Sequence, residues 1–370
     1  MRNIPITTIE ELHDHLRVAM ELEHATIPPY LMALYTIRPD TNPEATRILR
    51  TVVVEEMLHL ALVANILNAV GGKVDLTAPN FVPSYPAPLP DGEKDFTVSL
   101  RPFSSAALDT FLKIERPKRA PDVDRKMVDR GTRKMAFSLR HPLHQGFSYY
   151  SIGEFYLAIA DGLKTLDNAA QKSGRQLFCG HSEMQVGPEF YYSGGAKLLK
   201  VHDLDKALEA INTIIQQGEG FDNGIFNEHG ELSHDARYDQ LKLGRYYLAN
   251  NSNGQPDTPG NPTGPPLIVD WDAVFPAKVD AKLTDYEDDP ELYAAAVAFN
   301  REYFSFLGLL TKAFNGEPGL LLSEAVPRMF VLRNFILQLV HVPISGTDFH
   351  AAPTFEMPNS NGSINAEVTA

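Results

Sequence analysis

Cysteine is almost missing from this chain: Cys179 is the single one in 370 residues. That excludes an internal disulfide and any metal cluster held by several thiolates. Around it, LFCGHS offers nothing further to mark a nucleophile. Basic residues are also short, 33 against 47 acidic ones, for a formal net charge of −14 with no basic run. Such a balance argues against nucleic acid or an anionic membrane as a partner. No segment reaches the roughly 18 uninterrupted apolar residues of a membrane span. The opening MRNIPITTIEELHDHL has no basic start followed by an apolar stretch, so no signal peptide is read and a cytoplasmic protein is expected. GEG and GG match no phosphate-loop spacing, which speaks against a nucleotide site. What remains is 44% hydrophobic and 22% charged, the balance of a soluble globular protein. Any metal must then be held by histidine and carboxylates.

Helical periodicity dominates what is present. Thr8 and Glu11 form a capping box that opens a helix at about Ile9. It runs to Pro28-Pro29, where a kink or break is expected, and resumes through YLMALYTI. A second helix is predicted from about Pro43 to Val70, stopped by Gly71-Gly72. A Pro-rich connection follows, then FTVSLRPF as a short strand and SSAALDTFLKIE as a short helix, with residues 118–148 polar and irregular. A third long helix begins near Ser151 and a fourth is DLDKALEAINTIIQQ; Leu232 to Leu248 reads as a helical continuation. Two more helices, about Pro290–Phe314 and Leu320–Val340, come after a low-complexity loop. The predicted organisation is a bundle over 1–249 with an inserted crossover at 72–150. A mobile Pro/Gly/Asn linker at 250–267, a C-terminal helical region at 268–357 packed on the bundle and a disordered tail at 358–370 complete it. The fold class is mainly α: four long helices with a long crossover between the second and third have the connectivity of a ferritin-like four-helix bundle, here with additional C-terminal helices.

The stretch VVVEEMLHLALVANILNAVGG carries Glu55, Glu56 and His59 within an almost wholly apolar helix. A buried lone carboxylate is costly, so such groups are normally paired, neutralised or metal-bound. Glu56 and His59 have the Glu-x-x-His spacing of carboxylate-bridged dinuclear sites, with Glu55 as the fallback carboxylate. On the first helix Leu12, Leu16, Ala19, Glu23, Ile27, Tyr30 and Leu34 share one stripe, which puts Glu23 mid-face and Glu21 on the polar side. The third helix offers Glu154, at the flank of its apolar face. The fourth runs Leu204, Leu208, Ile211, Ile215, Glu219 in the same steps but has no histidine at i+3. ELSHDARYDQL supplies one, His234, leaving two readings: Glu219 with His234 across a looped-out insertion, which we favour, or the Glu231/His234 pair. His141 and His144 are read as structural loop residues. Tyr149, Tyr150 and Tyr156 are read as packing groups, with a pocket as the alternative.

ELEHATIPPYLMALY, VVVEEMLHLALVANILNAVGG, SIGEFY, IIQQGEG and the SH of ELSH resemble ferritin-like proteins of the iminophenyl-pyruvate dimer synthase type, as do SLRPFS, LKIERP and AAPTFE. Asp235 and Tyr238 stand where that family tends to place an aromatic and a phenylalanine. The resemblance implies Glu23, Glu56, His59, Glu154, Glu219 and His234 as metal ligands, two non-haem ions, and an enzyme that couples amino-acid-derived imines. The expected function is oxidative chemistry on a small amino-acid-derived substrate with two metal ions, iron being preferred and manganese or zinc compatible, and O2 as co-substrate. The alternatives are imine coupling without oxygen and a metal-storage or ferroxidase bundle.

Overall fold

The computed structural model describes residues 5–90, 96–116, 149, 151–191, 196–219, 224–227 and 229–358, with Glu219 described in its backbone only. His141, His144, Tyr150, the irregular stretch 118–148 and the tail beyond Pro358 lie outside them. Eight α-helices are described: α1 Ile9–Thr36, α2 Pro43–Ala69, α3 Ser105–Ile114, α4 Ile152–Lys172, α5 Leu204–Glu219, α6 His234–Leu243, α7 Pro290–Ala313 and α8 Val326–Val340. A short π-helical turn, Leu321–Ala325, leads into α8.

α1 and α2 pair along their length, as do α4 and α5, and the two pairs meet through α1 with α4 and α2 with α5. Outside this four-helix core, α3 packs on α6, α6 on α2 and α5, and α8 on α1. α2 is apolar on nearly every face because every face is covered: Val52, Val53, Leu58, Leu62, Val63, Ile66 and Leu67 are all buried. By length and composition α2 could cross a membrane, but that apolar surface forms the protein's own core. Its buried amides anchor neighbouring segments. Asn65 donates to the carbonyls of Val186 and Leu199, and Asn68 to those of Met184 and Phe314.

Three sequence expectations change. Pro28 and Pro29 do not break α1, which runs unbroken through both. Pro29 has no N–H for the carbonyl of Ala25, and a buried Tyr85 hydroxyl donates to that carbonyl instead, at 3.0 Å. A donor from the crossover thus replaces one of the two helical bonds that the prolines remove. FTVSLRPF forms no strand; within it Val98 makes one isolated bridge with Ala87. The helix expected over Leu232 to Leu248 is shorter, because Gly244, with φ of 64°, ends it in the left-handed region that glycine adopts freely.

Residues 250–266 fold around Asp257, whose carboxylate accepts from the backbone of Leu248 and Thr263 and from the side chains of Asn251 and Thr263. Beyond them, Tyr303 of α7 bonds His24 of α1 at 2.8 Å, and Asn315 bonds the backbone of Val74 on both its donor and acceptor sides.

Candidate metal centre

Two clusters of side chains able to ligate a metal ion lie side by side in the interior: Glu23, Glu56 and His59, then Glu56, Glu115 and His234. All five residues are buried, at 3% exposure or less. In each cluster the donor atoms lie within 4.8 Å of one another. Donors sharing one ion at about 2.0–2.2 Å would stand up to roughly 4.4 Å apart, so a small contraction suffices.

Helix geometry explains how they meet. Glu56 and His59 stand one turn apart on α2, and Glu23 faces them from the stripe of α1 that also holds Leu12, Leu16 and Ala19. The imidazole Nδ1 of His59 lies 3.3 Å from Glu23 Oε2 and 3.7 Å from Glu56 Oε2. His234 opens α6, where Ser233 caps the helix, and its Nδ1 lies 2.9 Å from Glu56 Oε1 and 3.5 Å from Glu115 Oε2. Glu56 therefore turns one oxygen to each histidine. The two imidazoles stack with centroids 5.6 Å apart.

A second layer holds these groups. His59 Nε2 faces the Gln217 amide oxygen at 2.9 Å, and His234 Nε2 faces Glu55 Oε2 at 2.8 Å. Arg237 also donates to Glu55. With both Nε2 atoms engaged outward, both Nδ1 atoms are aimed at the carboxylates. Tyr156 donates to Glu23 Oε1, and Tyr30 donates to Glu115 Oε1 at 2.5 Å. A small cavity of about 20 Å³ lies against Glu23, Glu56, His59 and Glu115, walled by Ile152, Ile214 and Ile215 and by Gly153 and Gly218.

Of the residues singled out in the sequence, Glu23, Glu56, His59 and His234 are brought together. Glu154 is in neither cluster; it stands half-buried in the first turn of α4, its backbone N–H capped by Ser151, while Tyr156 of the same helix reaches Glu23. Tyr156 thus does more than pack. Glu219 closes α5, and its carboxylate is outside the described atoms. Glu231 is exposed and engaged with Asn227, so the Glu231/His234 pairing does not form. Glu55 is an outer partner of His234 rather than a member of either cluster. The residue missed was Glu115, just past the end of α3. Its signal was legible: Ala107, Phe111 and Glu115 follow steps of four, and the first two are buried.

A family model described as ferritin-like matches residues 16–243, more than half of the chain. The chain belongs to the ferritin-like family. Dichlorochromopyrrolate synthase of Lentzea aerocolonigenes is 27% identical to it over 405 aligned positions, covering 95% of this chain and 36% of that protein. The chain therefore spans about a third of the length of that curated relative. The crystal structure of a ferritin-like protein from Caulobacter vibrioides superposes with a TM-score of 0.57 at 23% identity, over 90% of this chain and 96% of that one. At that identity the likeness speaks for the fold.

The electrostatics of the two clusters follow from their burial and their mutual contacts. Burial raises Glu23 to about 7 against the pull of His59. Burial and the nearby Glu56 charge also raise Glu115. For Glu56 burial acts upward too, but the imidazoles of His234 and His59 outweigh it and hold this carboxyl well below its usual range. Burial would lower both histidines, yet their carboxylate neighbours override it and raise His59 to about 10 and His234 well above its ordinary value. Protons are thus drawn into the positions a cation would take. His234 Nδ1 is buried among these oxygens with no well-aligned hydrogen bond. Three buried carboxylates, two imidazoles with their outer nitrogens occupied and one orphaned ring nitrogen form a donor set that suits divalent first-row ions.

Proposed function

We propose that this ferritin-like protein is an enzyme of specialised metabolism that uses two non-haem metal ions, iron foremost, in oxidative chemistry on a small amino-acid-derived substrate. The supporting observation is the pair of buried Glu/Glu/His clusters that share Glu56. Glu23 and His59 would hold one ion, Glu115 and His234 the other, and Glu56 would lie between them. A bound pair would supply Lewis acidity and, for iron, electron transfer.

The chain's own residues prepare that chemistry. Tyr156 and Tyr30 occupy one oxygen each of Glu23 and Glu115, leaving the other turned towards the neighbouring histidine. Gln217 and Glu55 fix the imidazole rings. Ile152, Ile214 and Ile215 keep the cavity wall apolar, which limits water beside the site. A second reading, metal-assisted imine coupling without oxygen, draws on the Lentzea relative, whose name is that of a synthase.

Anaerobic purification followed by elemental analysis tests the metal reading. Two ions per chain are expected, both lost in Glu56→Ala, and fewer than about half an ion per chain would sink it. Reduction and exposure to O2 then separates the two chemistries. Oxygen uptake supports the oxidative reading, and anaerobic turnover of an imine substrate with no oxygen uptake supports coupling.

A further inference from the structure

The two halves of the centre have the same inner pattern but different surroundings. His234 leans on an anion: its Nε2 meets the Glu55 carboxylate at 2.8 Å, and Arg237 fixes that carboxylate in turn. His59 leans on a neutral amide, with Gln217 Oε1 at 2.9 Å. A carboxylate acceptor makes the imidazole a more basic ligand and holds its ring more firmly than an amide does, and outer partners of this kind commonly change metal affinity 10–100-fold. A separate observation points the same way. The cavity is lined by Glu23 and His59, along with Glu56 and Glu115, whereas His234 is fully buried and does not line it. Gly218 borders the cavity as well.

We infer that the half-sites are unequal: the Glu115/His234 half is the closed, tight one that fills first, and the Glu23/His59 half is the open one where a small exogenous ligand binds. Glu55 and Gln217 are the positioning residues that set this difference. The inference rests on the metal reading proposed above.

Titrating the chelator-stripped protein with Co(II), with ligand-field absorption and a competing chelator as readouts, tests it. Two phases of one ion per chain are expected, at least 10-fold apart in affinity. His59→Ala should keep the tight phase and His234→Ala should lose it, with helical circular dichroism unchanged. Glu55→Gln should weaken the tight phase about 10–100-fold and spare the other. Gln217→Glu should tighten the weaker phase, a gain that a damaged fold cannot mimic. Azide should alter the spectrum after the second equivalent and leave it unchanged after the first.

A single phase of two equal ions would overturn the inference, as would a tight phase that survives His234→Ala but not His59→Ala. So would Glu55→Gln weakening both phases alike. A wild-type protein that binds no Co(II) at all would instead overturn the proposed function itself.

Discussion

Stripping metal from the protein and moving from pH 6 to pH 8 is expected to weaken the fold. Burial raises Glu23 to about 7 from an ordinary 4.5. Burial opposes a charged His59, but Glu23 and Glu56 override it and raise the ring to about 10 from 6.5. A group whose folded value lies above its unfolded one stabilises fully below the unfolded value and loses that contribution as pH climbs to the folded value. For Glu23 the loss is spread from about pH 4.5 to 7, so roughly 1 kcal/mol of it falls between pH 6 and 7. For His59 it begins near pH 6.5, so about 2 kcal/mol falls by pH 8. Glu55 and Glu56 are held low, and their contribution is already complete above about pH 4.5, so it stays constant across this window. His234, raised well above its ordinary value by its carboxylate neighbours, and Glu21, raised by burial to about 7, lose stability in the same direction. The metal-free protein should therefore lose at least about 3 kcal/mol between the two pH values and melt several degrees lower at pH 8. Restoring metal should remove most of the difference, because cations then stand where the protons of the two clusters stood, and only the share of Glu21, outside both clusters, should remain. Thermal melts by circular dichroism, with and without chelator, are the assay. A melting temperature that is flat or rising from pH 6 to 8 in the chelated protein would refute the reasoning. So would a melt indifferent to the chelator at both pH values.

Tyr85→Phe should cost about 1–3 kcal/mol in urea unfolding, since the Ala25 carbonyl left open by Pro29 would then be buried without a donor. Gly180→Ala should cost more than about 2 kcal/mol or prevent expression, because its Cβ would sit 1.8 Å from the Asn68 carbonyl oxygen on α2; a near-neutral result would show that the 179–181 segment can shift freely. Tyr30→Phe should unfold about 1–3 kcal/mol more easily, since Glu115 would lose its phenol donor, and unchanged stability in urea would show that this bond contributes little. Glu231→Ala should leave metal stoichiometry unchanged, since that side chain is exposed on Asn227, while loss of one ion in Glu219→Ala would add the end of α5 to the ligand set.

Local rules were enough for much of this protein. Periodicity placed Glu23 in the middle of an apolar stripe, and one-turn spacing put Glu56 and His59 on the same side of α2. Burial of either without a partner is costly whatever the rest of the chain does. The bundle connectivity was likewise readable, because long amphipathic helices joined by one long crossover have few ways to cover their apolar faces. Other choices depended on which distant segment arrives. Glu55 and Glu56 are adjacent and point about 100° apart on the helix, so only the packing of α6 against α2 decided that Glu56 faces inward and Glu55 holds His234 from outside. Glu115 caps a ten-residue helix whose apolar stripe points to it, but its place beside Glu56 is fixed only when α3 lies on α6 and Tyr30 comes within 2.5 Å. α1 runs through two prolines with the bond lost at Pro29 replaced by a hydroxyl of Tyr85, far along the chain. In each case the residue's own preference did not settle the outcome, and a buried hydrogen bond to a distant partner helped to select it.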